Sequence, residues 1–321
     1  MVNKKKYKSP YSQKISQAHQ MRDKLIRFFF FTNGMAALIL VLLIFGFLLY
    51  ESSAGFSKIG LDRYLSEDFV SQDGTVVTEK AWQPTSDEPK YSILPLILGT
   101  FLTAFPATII STLLGVCTGV YISEIASSRF REVLKPIIEL FAGIPTVIIG
   151  FFMLVAGATF FQEIFGYVFR LNAFIASLGI SLIIIPVIAS LTEDALRSVS
   201  GDIRMAAYAL GANKWQAIRN VLIPAAFSGI SASIILGFGR AMGETMIVLM
   251  ASGSAPEFTL DVFKSVKTMT ATIAAELGEV SQESPHYYAL FFIGIVLFLF
   301  SFVINLTAEL ILSKKRRNMD Y

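Results

Sequence analysis

The stretch GFGRAMGETMIVLMA, Gly237 to Ala251, holds two side chains whose chemistry is at odds with their setting. Arg240 is a permanent cation with a planar fork of donors, and Glu244, four residues on, is a carboxylate. Both stand near the middle of an apolar run long enough to cross a bilayer. A central arginine there costs about 2.5–3.5 kcal/mol on the insertion scale. Three arrangements would offset that cost. The pair would neutralise itself along one helix, although Arg before Glu is the weaker order at this spacing. It would bridge to a neighbouring helix. Or the guanidinium would meet an oxyanion, which it matches in charge and in bidentate geometry. Thr245 adds a hydroxyl beside them.

Other chemistry is sparse. Glu244 has no second acid–base group at workable spacing, so no residue is assigned as catalytic. His19 and His286 lie far apart in different polar regions, and Cys117 is the sole cysteine, inside an apolar run. That set offers no metal-ligand spacing, and neither metal nor cofactor is expected. No G-x-x-x-x-G-K-[ST] loop occurs, so any ATP must be bound by another subunit.

The elements that position Arg240 and Glu244 follow from hydropathy. Of the 321 residues, 54% are hydrophobic and only 16% charged, in blocks rather than stripes, which describes a polytopic membrane protein. Spanning helices take roughly 17–25 apolar residues. Six are predicted: Phe28–Tyr50, Ile93–Ser123 with a bend at Pro106, Leu134–Phe160, Leu171–Leu191, Ala226–Ala251 and Tyr287–Leu312. The first is too long for a signal-peptide core and reads as an uncleaved anchor. The chain thus divides into a basic N-terminus (1–27), the anchor (28–50), an acidic segment (51–92), a core (93–312) and a basic tail (313–321).

Lysine and arginine bias sets the orientation. Both termini are basic, as are the loops holding Arg129, Arg131 and Lys135, and Arg197, Arg204, Lys214 and Arg219. These are expected to be cytoplasmic, leaving 51–92 and the loop from Ser252 to His286 outside. In that last loop Ala271–Leu277 reads as a short helix, either covering the outer mouth of a pathway or belonging to an ordinary structured loop.

Small residues mark close packing. Gly239 and Gly243 form G-x-x-x-G, and Gly229, Ser233 and Gly237 form a second ladder. Beside the charged pair they predict a span that faces another helix, across the interface with a partner subunit.

Between the fourth and fifth spans, residues 202–224 read as helix, tight turn at Gly211, helix, with Pro224 entering the next span. Basic residues are too few for a DNA reader, so nucleic acid is not an expected partner. A plain connecting loop would not need two helices. Met205-Ala206-Ala207, then Gly211, then Val221, Ile223 and Pro224 resemble the EAA motif of ABC importer permeases. In that family this element docks on a cytoplasmic ATPase. The chain has Met205 where the motif has glutamate, so coupling would lean on Arg204, Arg219 or apolar contacts.

The resemblance extends to LKPIIELFAGIPTVIIGFF (Leu134–Phe152) and GFGRAMGETMIV (Gly237–Val248), which look like segments of the phosphate importer's permeases. The Gly243-Glu244-Thr245-Met246-x-Val248 ending is similar to the PstC branch rather than to PstA. The resemblance implies an all-α integral membrane protein of the type I ABC importer permease (MetI-like) fold. It also implies a cytoplasmic-membrane setting among lipid, a PstA-like second permease, a PstB-like ATPase dimer and an extracytoplasmic PstS-like phosphate-binding protein. Arg240 and Glu244 are then substrate-pathway residues. Glu244 would temper Arg240 so that phosphate passes, or accept a hydrogen bond from a protonated phosphate oxygen that sulfate lacks. Permeation of another oxyanion (molybdate, sulfate or phosphonate), an intramembrane enzyme using Glu244 and an ion channel are the rival readings. The last two leave the 202–224 loop unexplained.

Overall fold

The computed structural model describes the backbone of residues 10–65, 67–70 and 76–319. The first nine residues with Lys4, Lys5, Lys6 and Lys8, the Lys14 side chain and the side chains of the basic tail lie outside that description. The chain forms two units, 1–50 and 51–321. Helix α1 runs Pro10–Ile59, and most of its large apolar side chains from Phe28 to Tyr50 stand exposed. Its apolar stretch is long enough to cross a membrane.

In the second unit, two antiparallel hairpins precede the helices: β1 (Glu67–Val70) with β2 (Val76–Glu79), and β3 (Trp82–Gln83) with β4 (Lys90–Tyr91). Then follow α2 (Leu94–Val120), α3 (Ser128–Ala142), α4 (Thr146–Phe152), α5 (Ala158–Phe165) and α6 (Ala173–Arg197). Next come α7 (Gly201–Ala209), α8 (Lys214–Ala217), α9 (Ile223–Ala225), α10 (Phe227–Met242) and α11 (Met246–Ala251). A short α12 (Met269–Glu276) precedes the long α13 (Pro285–Met319).

The centre of the unit is α6. Lipid tails are as apolar as leucine, so membrane helices associate by close packing and small residues. A Cβ on Gly115 of α2 would lie 2.8 Å from Ile188 Cβ, and one on Gly119 would lie 2.6 Å from the Ala189 carbonyl oxygen. Against the same helix, a Cβ on Gly229 would meet Ala195 Cβ at 2.5 Å, and one on Gly237 would meet Ile184 Cγ2 at 2.9 Å. Between them the Ser233 and Thr192 hydroxyls are 3.5 Å apart. The Gly229-Ser233-Gly237 ladder therefore packs on this chain's own α6. Gly239 and Gly243 lie on a looser face, where a Cβ on either would have no neighbour closer than 3.7 Å.

Two predicted spans are corrected. Leu134–Phe160 is not one helix. Residues 128–142 form the amphipathic α3, with no buried residue, because Arg129, Arg131, Glu132, Lys135 and Glu139 stripe it. Pro145 lacks an N–H and disfavours a helical Ile144. The apolar helix accordingly begins afresh and runs Thr146–Phe165 through a π-turn at 153–157. Ala226–Ala251 is also not one helix: α10 stops at Met242 and α11 starts at Met246. The described residues give five helices long and apolar enough to span, and a sixth if the run Lys214–Ala225, bent by 69° from α10, is counted with it. The predicted short helix at Ala271–Leu277 appears as α12, two residues earlier at its start.

Candidate functional site

Arg240 and Glu244 lie on either side of the break between α10 and α11. Gly243 ends α10, its amide reaching the Gly239 carbonyl at 3.2 Å, and the Glu244 amide bonds Ala241 O at 3.3 Å. No helical carbonyl accepts from the first-turn amides of α11, so a side chain supplies the acceptor. Glu244 Oε1 takes the amides of Met246 at 3.1 Å and Ile247 at 3.3 Å. Its side chain is turned inward, with the residue 8% exposed. Arg240 sits in the last turn of α10, where the helix dipole favours a cation, and is exposed. No ion pair joins it to Glu244 among the described residues. The self-neutralising arrangement is thus not the one adopted, and Arg240 presents its donors outward. Unwound backbone at membrane depth is tolerated where protein buries it or a cavity lies beside it, and transporter sites are often built at such breaks. Thr245 completes the linker, its hydroxyl 3.3 Å from Gly243 O.

The break is braced by α12. Thr270 Oγ1 donates to the Glu244 carbonyl oxygen at 2.7 Å, and the Met269 amide donates to Thr100 Oγ1 on α2 at 3.1 Å. At the far end of α12, Glu276 accepts from Trp82 Nε1 at 3.0 Å, pairs with Lys267 and lies 2.8 Å from His286 Nε2. No sequence pattern announces this cluster, since its members are scattered between Trp82 and His286 and only Glu276 interrupts an apolar stretch.

Burial pushes the Glu276 carboxyl up, but donation from His286, Lys267 and Trp82 outweighs it and holds the group below its ordinary value. A depressed folded-state value means stabilisation that is complete above the unfolded glutamate pKa, about 4.3, and lost as pH falls through the folded one. The apparent melting temperature of the purified protein should therefore drop between pH 5 and strong acid, and Glu276→Gln should flatten that acid limb. An identical acid limb in the variant would show that Glu276 does not carry it.

The opposite end of α2 meets the 201–225 helices. Gly211 has φ +84° and closes α7 with a Schellman pattern: the Ala212 amide bonds Ala207 O at 3.1 Å and the Gly211 amide bonds Tyr208 O at 3.0 Å. Asn213 and Gln216 then form a reciprocal capping box that opens α8. Ala207 is buried and Ala206 exposed, while Pro224 lies exposed before α10. Arg204 turns inward, its Nη2 2.9 Å from Glu124 Oε1 in the π-turn that follows α2, so it anchors the loop to the bundle. The outward face is apolar instead: Leu210 is 89% exposed, Met205 68% and Trp215 63%. Leu210 and Trp215 were not singled out in the sequence; large apolar side chains flanking the turn glycine were the available signal.

Nearby, Glu193 of α6 is buried and held by Lys135 Nζ at 2.7 Å and Arg197 Nη1 at 3.2 Å, which fixes amphipathic α3 against α6. A buried carboxylate kept paired from both sides is a positioning device rather than a free base.

Residues 112–317 match the family described as binding-protein-dependent transport system inner membrane component. A Bacillus subtilis protein, the probable ABC transporter permease protein YqgH, is 33% identical over 240 residues, 75% of this chain and 78% of that one. The phosphate transport system permease protein PstC of Mesorhizobium japonicum is 29% identical over 319 residues, 91% of this chain and 94% of that one. Among solved structures, a bacterial ABC transporter involved in alginate import superposes with a TM-score of 0.61 at 14% identity, covering 92% of this chain and 99% of that one. The inward-facing MetNI methionine ABC transporter does so with 0.54 at 18% identity, covering 67% and 92%. Those two likenesses establish the fold, and the family match spans the broken helix and the exposed two-helix loop alike. With its apolar helices and small-residue packing, this chain belongs to the binding-protein-dependent inner-membrane transport components: it is a multi-pass ABC importer permease, a transport subunit and not an enzyme.

Proposed function

We propose that the chain is the PstC-type permease of an ATP-driven importer of inorganic phosphate. The observation that carries this reading is Arg240, an exposed residue with no ion pair among the described residues, held at a helix break inside an apolar bundle. A cation retained there against its insertion cost has a function to offset it. The fork of donors suits a tetrahedral oxyanion. PstC of Mesorhizobium japonicum, alike over nearly its whole length, supports phosphate as that anion. Thr245 lies beside the path, and Glu244 tempers the arginine. With Oε1 occupied by the α11 amides, the second carboxylate oxygen is the one to accept from a protonated phosphate.

In this reading residues 93–312 form half of the pathway, paired with a PstA-like permease, and the open Gly239–Gly243 face is available to that partner. The helices of 202–224 lie in the cytoplasm, as do 1–27 and 313–321, and dock on a PstB-like ATPase dimer. Residues 28–50 anchor the chain, and 51–92 lie outside, where a PstS-like binding protein delivers phosphate. The cations Arg129, Arg131, Lys135, Arg197, Arg204, Lys214 and Arg219 support that orientation.

Uptake of labelled phosphate by cells carrying the whole transporter tests the substrate. Unlabelled phosphate should compete, and sulfate and molybdate should not. Competition by another oxyanion would transfer the reading to that anion. Glu244→Gln should let sulfate compete, and unchanged exclusion would remove the role given to the carboxylate.

A further inference from the structure

Glu276 ties together three stretches of chain that are far apart in sequence. Trp82 comes from β3, in the 51–92 segment, and is buried. Its strand is itself joined to the 252–266 loop, with the Trp82 amide donating to Pro256 O at 3.4 Å and Ala81 bridged to Glu257. Lys267 ends that loop, and His286 opens α13. All three converge on one carboxylate at the last residue of α12.

From there α12 runs inward. Its first residues, Met269 to Thr272, are buried, and Thr268 caps it by accepting from the Ala271 amide. Thr270 and Glu276 are six residues, or about 9 Å of helix, apart. The Thr270 hydroxyl ends on the Glu244 carbonyl, in the linker that α10 and α11 leave unwound. A short helix fastened at both ends transmits displacement, because neither end can shift without straining its own bonds.

We infer that Glu276 is a positioning residue for the helix break: through α12 and Thr270 it fixes the Glu244 carbonyl, and with it the direction from which Arg240 meets the pathway. The 51–92 segment is then mechanically linked to the break rather than an independent appendage. What the break does in transport rests on the proposed function, but the linkage itself does not.

Hydrogen exchange in the assembled transporter, without substrate, tests it. Local opening of the linker frees the Met246 and Ile247 amides from Glu244 Oε1. Glu276→Ala should speed their exchange by at least about tenfold, and Glu276→Gln, which keeps an acceptor for Trp82, by less. Thr270→Val should match Glu276→Ala, Thr270→Ser should restore the slow rate, and the double variant should add nothing beyond either single change. Unchanged exchange at Met246 and Ile247 in Glu276→Ala, with faster exchange only in α12, would overturn the linkage, as would additive single effects. Should Glu276→Ala loosen the whole bundle, seen at the amides of Ile183, Ile184 and Ile188, Trp82→Phe with the two Thr270 variants decides the same question. A faithful exchange pattern together with undiminished uptake in Arg240→Gln would reject the pathway role proposed for Arg240 and leave the linkage standing, and competition by another oxyanion would reject the phosphate reading without touching the linkage.

Discussion

Arg240→Gln is expected to lower phosphate uptake by at least about tenfold in a transporter that still assembles. A hydrogen bond to a charged partner is worth about 1.5–3 kcal/mol, and each 1.4 kcal/mol is a factor of ten. Glutamine keeps much of the length and polarity while removing the charge and the fork. Assembly should survive, because the exposed side chain makes no ion pair among the described residues and its favourable interaction with the α10 terminus is about 0.3–1 kcal/mol. Arg240→Lys should fall between the two, since it restores the charge but not the bidentate geometry. Initial uptake rates, normalised to assembled complex in the membrane, make the comparison. Wild-type rates in Arg240→Gln would make the arginine a structural feature of the break.

Leu210→Asp should uncouple the permease from its proposed ATPase. Leu210, Met205 and Trp215 form an exposed apolar face at the turn, where the related motif has a glutamate in place of Met205. Burying such a side chain against a partner contributes about 1.5–3 kcal/mol, and an unpaired carboxylate in the same contact would add a desolvation cost. The ATPase subunits should then fail to co-purify and uptake should cease, although the permease still reaches the membrane. Gly211→Val should act in the same direction through the backbone, since φ +84° is strained by roughly 1–3 kcal/mol for a β-branched residue. Arg204→Ala differs: it cuts the loop from Glu124 rather than from the ATPase, so co-purification should persist while uptake falls. Normal co-purification and uptake in Leu210→Asp would place the ATPase contact elsewhere.

Transfer free energy is local, and whatever depends on it was readable from the order of residues. The apolar runs of α1, α2, α6 and α13, the glycine turn between α7 and α8, and the short α12 each follow from a few neighbouring side chains. So does the anomaly of Arg240 and Glu244 within a span. Hydropathy joined α10 to α11 and α3 to α4, because averaging over a window passes across a three-residue break. What opens the break is an acceptor set assembled in space: the Glu244 carboxylate on two amides and Thr270, 26 residues away, on its carbonyl. The Arg204–Glu124 pair spans 80 residues and the Trp82–Glu276 bond 194, and no periodicity announces contacts at those separations. The sequence by itself determined that this chain lies in a membrane, where its apolar runs fall and which residues are too polar to face lipid. Only the tertiary structure decided which partners those residues take, because hydrogen bonds and ion pairs are set by geometry between distant segments.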